Sequence, residues 1–179
     1  VVTLLPTAAL AASNFSVMKE NTEISPVYNN STYTKDYTIS EDNANITVSG
    51  STTNGRILVN ADNVTIHLNN ASMLLSYCNG SPIEIAGNKT ATIVLSGENK
   101  LTAYAAGPGI LVNQGATLII KEAENSSGGN NSLTATGAQL ESYSDNGGLS
   151  GGLASGFAGI GGPNSSSKLT YTGTIKIES

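Results

Sequence analysis

Val64-Thr65-Ile66-His67-Leu68, Ala91-Thr92-Ile93-Val94-Leu95 and Ala116-Thr117-Leu118-Ile119-Ile120 are three readings of one pattern. Each follows a three-residue segment with an apolar residue at both ends: Ile57-Leu58-Val59, Ile83-Glu84-Ile85 and Ile110-Leu111-Val112. A fourth copy, Gly173-Thr174-Ile175-Lys176-Ile177, lies near the end. Thr65, Thr92 and Thr117 are 27 and 25 residues apart, and Thr174 follows after 57, about two periods. Within a copy the alternation has period two, the strand signature. Val64, Ile66 and Leu68 share one face, and Thr65 and His67 the other. Short polar corners such as Asn60-Ala61-Asp62-Asn63 and Gly87-Asn88-Lys89-Thr90 separate the strands. Asn and Gly suit them because they tolerate left-handed backbone. Beyond the second corner stands a third apolar position: Met73, Leu101, Leu133.

Three short strands per repeat, too small to bury a face alone, predict stacking. The predicted class is all-β, a right-handed parallel β-helix (β-solenoid) of about 25–27 residues per coil. Residues 1–36 read as an apolar segment and cap, and 37–179 as the repeats. Tyr37/Ile39 and Ile46/Val48 look like an earlier, looser coil. A Gly-rich interruption spans 143–162, with Ile160 a candidate for a core slot. No cap is evident after the last copy, so a bare edge there calls for more chain or a neighbouring subunit. Sandwich and barrel folds fit regular strand spacing too, but hairpin signals are weak here.

Charged residues make up 12% of the 179, about half of ordinary usage. The net charge of -5, with Arg56 the only arginine, argues against nucleic acid. Cys78 is the single cysteine, so an internal disulfide is impossible. It is either a buried thiol or an intermolecular bridge. Val1 to Ala12 is apolar and uncharged, too short to span a membrane. It reads as a signal remnant, a capping helix or a strand donated to a neighbour. Val1, Val2, Leu4 and Leu5 would then be contact residues, along with Cys78. Asn-x-Ser/Thr occurs 11 times, where the composition gives roughly five by chance. Asn30, Asn45, Asn63, Asn70, Asn88 and Asn164 are candidate glycan acceptors. This composition points to an extracellular or cell-surface protein.

Catalytic constellations are hard to assemble. His67 is the lone histidine, on the outward phase of a strand. The four aspartates, Asp36, Asp42, Asp62 and Asp145, stand apart in sequence. Hard cations want several converging oxygens, so no cofactor is assigned, although a calcium site built from corner carbonyls stays open. Glu84 and Glu98 match a glycosidase pair by residue type only, and read better as solvated acids. Gly147 to Gly152 lacks the strand, helix and Lys-Ser/Thr of a phosphate loop. Outward Val94 and Ile119 form a modest apolar patch, a candidate partner contact. Tyr28, Tyr33 and Tyr37 cluster before the repeats, where they either pack as a cap or stack on sugar rings.

The order of motifs adds a resemblance. Ile93-Val94-Leu95-Ser96-Gly97-Glu98-Asn99-Lys100-Leu101-Thr102-Ala103, Gly109-Ile110-Leu111-Val112, Gly115-Ala116-Thr117-Leu118-Ile119-Ile120 and Ala158-Gly159-Ile160-Gly161-Gly162 are similar to secreted prokaryotic proteins with pectate-lyase-like β-helix coils. That group includes carbohydrate-binding modules and adhesive surface proteins, and the likeness covers roughly residues 37–179. It implies the β-helix fold. The related lyases use an acidic calcium cluster and a basic proton acceptor, and this sequence has no such cluster. The expected protein is a non-catalytic structural or adhesive surface subunit that self-associates into an envelope layer, sheath or filament. Its partners would be copies of itself or other surface proteins. The alternative is a pectin- or cellulose-type polysaccharide-binding module, and a polysaccharide lyase comes third.

Overall fold

Ile46, Ile66, Ile93, Ile120 and Ile177 stand in one column, each opposite the next across a parallel strand pair. Branched side chains at alternate positions suit a pleated, half-buried surface, and the repeat supplies one per layer. The computed structural model describes residues 14–76, 80–104, 107–124, 131–138, 158–162 and 173–178. Among these the chain is all-β, without a helix. The strands are β1 (Ser16–Lys19), β2 (Thr22–Glu23), β3 (Val27–Asn29), β4 (Thr34–Ile39), β5 (Asn45–Thr53), β6 (Gly55–Val59), β7 (Val64–Leu75) and β8 (Ile83–Ile85). There follow β9 (Thr90–Ser96), β10 (Glu98–Ala103), β11 (Ile110–Val112), β12 (Thr117–Glu122), β13 (Ser132–Thr136), β14 (Ile160–Gly161) and β15 (Thr174–Glu178).

Two mixed, mostly parallel sheets hold these strands. The first runs β2-β1-β5-β7-β9-β12-β15, with β10 pairing the second half of β7 and β13 pairing β10. The second runs β3-β4-β6-β8-β11-β14. Its inward column is Tyr37, Ile57, Ile83, Ile110 and Ile160. Ile57, Ile66, Ile83, Ile93, Ile110 and Leu118 are fully buried in one cluster. Each such side chain contributes about 1.5–3 kcal/mol of burial.

Register differs from the letter-by-letter reading of the sequence. Thr65 does pair with Thr92, but Thr117 lies opposite Thr90, not Thr92. The β9 to β12 spacing is therefore 27 residues, not 25. A two-residue slip preserves which face every side chain occupies, so alternation could not reveal it. Thr174 pairs directly with Thr117. The 57 residues between them thus separate adjacent strands rather than span two layers. In the third column Leu101 meets Met73 and Ala135; Leu133 lies opposite Asn99.

The corners explain the many asparagines. At the bend of β5 and β7 a bulge falls between Ser49 and Gly50, with Asn70 as the extra residue on the partner strand. Asn70 has φ 50° and Gly97, beside it, φ 67°. A Cβ on Gly97 would collide with the Asn70 amide, so glycine is required there twice over. Behind this corner Asn99 is 2% exposed. Its Oδ1 accepts from Ala71 N at 2.9 Å. Its Nδ2 donates to Ser96 O and Gly97 O at 3.1 Å and to Ser132 O at 3.2 Å. One side chain thereby ties three neighbouring layers together.

The ends are unlike. Among the described residues, antiparallel pairs occur only at the amino-terminal end, where β1 pairs β2 and β5, and β3 pairs β4. Val17 is fully buried there, and Phe15 and Ile24 pack against the core. At the opposite end Ile177 of β15 is 80% exposed, whereas Ile120 next to it is 5% exposed.

Candidate functional site

Two places concentrate polar side chains. The first is a groove on the outer face of the first sheet, about 450 Å³ in volume. Thr65 and His67 from β7 and Thr92 and Val94 from β9 form its floor. Lys121, Glu122, Ala123 and Glu124, at and after the end of β12, form its wall. The register sets the floor rows as Thr65–Thr92–Ile119–Lys176 and His67–Val94–Lys121–Glu178. Hydroxyls, an imidazole, an ammonium and carboxylates around one apolar side chain can hydrogen-bond a polyhydroxylated ligand. Among the described residues no three His, Cys, Asp or Glu side chains converge on a common point.

The second place is a buried charged relay on the outer face of the second sheet. Arg56 on β6 is 7% exposed. Its Nη2 donates to Glu84 Oε2 at 2.8 Å, and its Nη1 lies 4.0 Å from Asp36 Oδ1. Asp36 also accepts from Thr34 Oγ1 at 2.6 Å and Asn29 Nδ2 at 3.0 Å. Glu84 accepts from Asn113 Nδ2 at 3.1 Å. Anion, cation and anion thus alternate along the stacking direction, from β4 to β6 to β8. Every carboxylate oxygen named is occupied. Arg56 Nε and Ser81 Oγ are buried without a partner. A buried ion pair of this kind adds little net stability, although removing one partner is costly.

The sequence-derived candidates scatter. Tyr28 and Tyr33 are 56% and 66% exposed. Tyr37 is a correction: it is 7% exposed and packs edge-on against Phe15, ring centres 5.5 Å apart. It heads the inward column of the second sheet, so it offers no face to a sugar. Burial pushes its hydroxyl above the ordinary tyrosine range, helped by the charge of Glu23. The Val94/Ile119 patch is also corrected. Val94 is 6% exposed on the groove floor, Ile119 is half-buried, and the slip sets Lys121 rather than Ile119 opposite Val94. Asn30, Asn45, Asn63, Asn70 and Asn88 are exposed. Asn63, Asn70 and Asn88 have φ between 50° and 60°, so corner geometry by itself accounts for asparagine at these three. Asn70 is further engaged, donating to Asn69 Oδ1 and accepting from Glu98 N. Val1, Val2, Leu4, Leu5, Cys78, Asn164 and residues 143–157 lie outside the described residues.

Sequence reading missed the relay and the role of the corner acids. The signal was separation: Arg56 and Glu84 are 28 residues apart, about one repeat. Asp42 and Asp62 are not isolated either. Asp42 Oδ1 accepts from Asp62 N at 2.7 Å, and Asp62 Oδ1 accepts from Thr90 N at 2.8 Å and Asn63 N at 3.0 Å. Those amides, Thr90 first, hold the Asp62 carboxyl below the usual carboxylate range.

No family model, curated protein or solved structure matches this chain. No helix among the described residues is long and apolar enough to cross a membrane.

Proposed function

We propose that the two sheets are faces of a right-handed parallel β-helix, and that the protein is a non-catalytic, extracellular structural or adhesive subunit. It self-associates through an end of the stack into a layer, sheath or filament. One observation carries this reading: strand β15 places Ile177 in register with a buried isoleucine column yet leaves it 80% exposed. An exposed, apolar strand edge is a template for another chain. The low charge and polar, Asn-rich corners are consistent with a cell-surface setting. Analytical ultracentrifugation and negative-stain microscopy of the purified chain test it. Concentration-dependent assemblies are expected, and a strictly monomeric species at tens of micromolar sinks it.

A second reading is supported by the outer groove with Thr65, His67 and Thr92, and by exposed Tyr28 and Tyr33. Under it the protein binds a pectin- or cellulose-type polysaccharide. Retardation in polysaccharide-containing native gels, lost when the groove is altered by Thr92→Trp, would favour it. Loss on chelation would add calcium to the reading. Release of unsaturated uronides would revive a lyase.

A further inference from the structure

Around the groove the outer face of the first sheet is polar but uncharged. Asn45 and Thr47 of β5 continue the two floor rows, opposite Thr65 and His67. Ser49, Asn69 and Ser96 form a third row. Across β5, β7 and β9 these outward positions carry hydroxyls, amides, one imidazole and Val94, with no Lys, Arg, Asp or Glu among them. Charge enters at the wall. Lys121 stands there with Glu122 and Glu124, and Glu178 lies opposite Lys121 on the neighbouring strand. Lys176 is one row away, beside Ile119. Two ammonium groups therefore meet three carboxylates. The sole arginine, Arg56, is 7% exposed on the second sheet and donates to Glu84. The whole chain carries a net charge of -5.

We propose that the groove takes a neutral glycan, of cellulose type rather than pectin type. The inference rests on the polysaccharide-binding reading and names its ligand class. A neutral sugar presents hydroxyls at the rim of its ring, each a donor and an acceptor. Thr65 and Thr92 are paired across one strand spacing of about 4.8 Å, so their hydroxyls meet different groups along an extended sugar chain. The groove, about 450 Å³, is within the ~300–1,000 Å³ of ordinary ligand sites, and the uncharged rows beside it lengthen the track. A polyuronate brings a carboxylate with every ring. Such an anion is held by Arg or Lys donors, whereas the wall meets it with Glu122 and Glu124. Like charges at that range repel.

Calorimetric titration of the full chain with cellohexaose and with an oligogalacturonide of equal length tests this. Both are run in low salt at about pH 7.5, where carboxylates are ionised, once with calcium and once with a chelator. Wild type should bind cellohexaose several-fold more tightly in both. Thr92→Val removes one hydroxyl at nearly constant shape and should weaken cellohexaose about fivefold, the worth of one hydrogen bond. Glu124→Lys should narrow the gap between the two sugars about threefold to tenfold, and less in high salt, because exposed charges are screened. Glu98→Lys makes the same change of charge on β10, outside the groove, and should leave the gap as it is. Equal or tighter binding of the oligogalacturonide by wild type, with or without calcium, overturns the neutral-ligand inference and leaves polysaccharide binding standing. So does a Glu98→Lys effect as large as that of Glu124→Lys, or a Thr92→Val without effect, because binding then lies elsewhere. If wild type binds neither sugar, the polysaccharide reading and this inference fall together.

Discussion

Replacing Asn99 tests whether layers are held by side chain as well as by strand pairing. In Asn99→Ala the Ala71 amide loses its 2.9 Å acceptor. An orphaned buried donor costs about 1–3 kcal/mol. Asn99 Nδ2 also reaches three carbonyls at 3.1–3.2 Å. Two hydrogens can make two full bonds, each worth about 1 kcal/mol net. The sum is about 3–5 kcal/mol, a large part of the ~5–15 kcal/mol typical of a domain. Asn99→Asp is the sharper probe. It keeps the acceptor for Ala71 N but turns a carboxylate oxygen toward three carbonyls. Charge there is disfavoured, so the introduced carboxyl is raised above its unfolded value of about 3.9. Such a group is least harmful below that pH, and stability falls as pH rises from it. Urea unfolding followed by circular dichroism at pH 4 and pH 7 reads both terms. Asn99→Asp should be less stable than Asn99→Ala at pH 7, with the gap narrowing at pH 4. A constant gap, or an Asn99→Asp that matches wild type at pH 7, refutes the three-carbonyl account.

Other outcomes follow from the same reasoning. Arg56→Met leaves the Asp36 and Glu84 carboxylates without their cation and should cost about 2–4 kcal/mol in urea unfolding. That is short of the ~3–5 kcal/mol for a fully buried pair, because Glu84 is 30% exposed. Glu84→Gln keeps a hydrogen-bonding oxygen and should cost about 1 kcal/mol. The Asp62 carboxyl is lowered by the Thr90 and Asn63 amides, so its contribution is present above pH ~4 and lost as pH falls further. Thermal melts from pH 2 to 6 should therefore be flatter for Asp62→Asn than for wild type. Tyr37 is raised by burial, so its contribution is complete below pH ~10 and lost as pH rises through the folded value. Tyr37→Phe should unfold later in an alkaline titration.

Core membership was legible because it depends only on the phase of alternation. Ile57, Ile66, Ile83, Ile93 and Leu118 all face inward as their period-two pattern requires. Neighbour identity was not legible. Ala116-Thr117-Leu118 imitates Ala91-Thr92-Ile93 in letters, but Ala91 pairs with Leu118 because backbone hydrogen bonds, not residue likeness, set the register. The candidate groove was half visible. Its floor could be read from Thr65, His67, Thr92 and Val94, while the Lys121 to Glu124 wall depends on where the chain turns after β12. The relay was invisible for a different reason. Arg56 and Glu84 gain meaning only when a 28-residue separation becomes a contact.

The unlike ends also bear on how the chain folds. Strands β1 and β2 flank a two-residue turn, Glu20-Asn21, so their pairing closes almost no loop. Joining β15 to β12 closes one of 57 residues measured from Thr117 to Thr174. Each doubling of loop length adds about 0.6 kcal/mol of closure cost, and contacts distant in sequence form slowly. A structure in which each layer rests on its neighbour propagates from whatever nucleates first. The hairpin end is the natural nucleus and β15 the last strand to dock. The same order in reverse makes β15 the first strand to fray, and Ile177 the first member of its column to leave it.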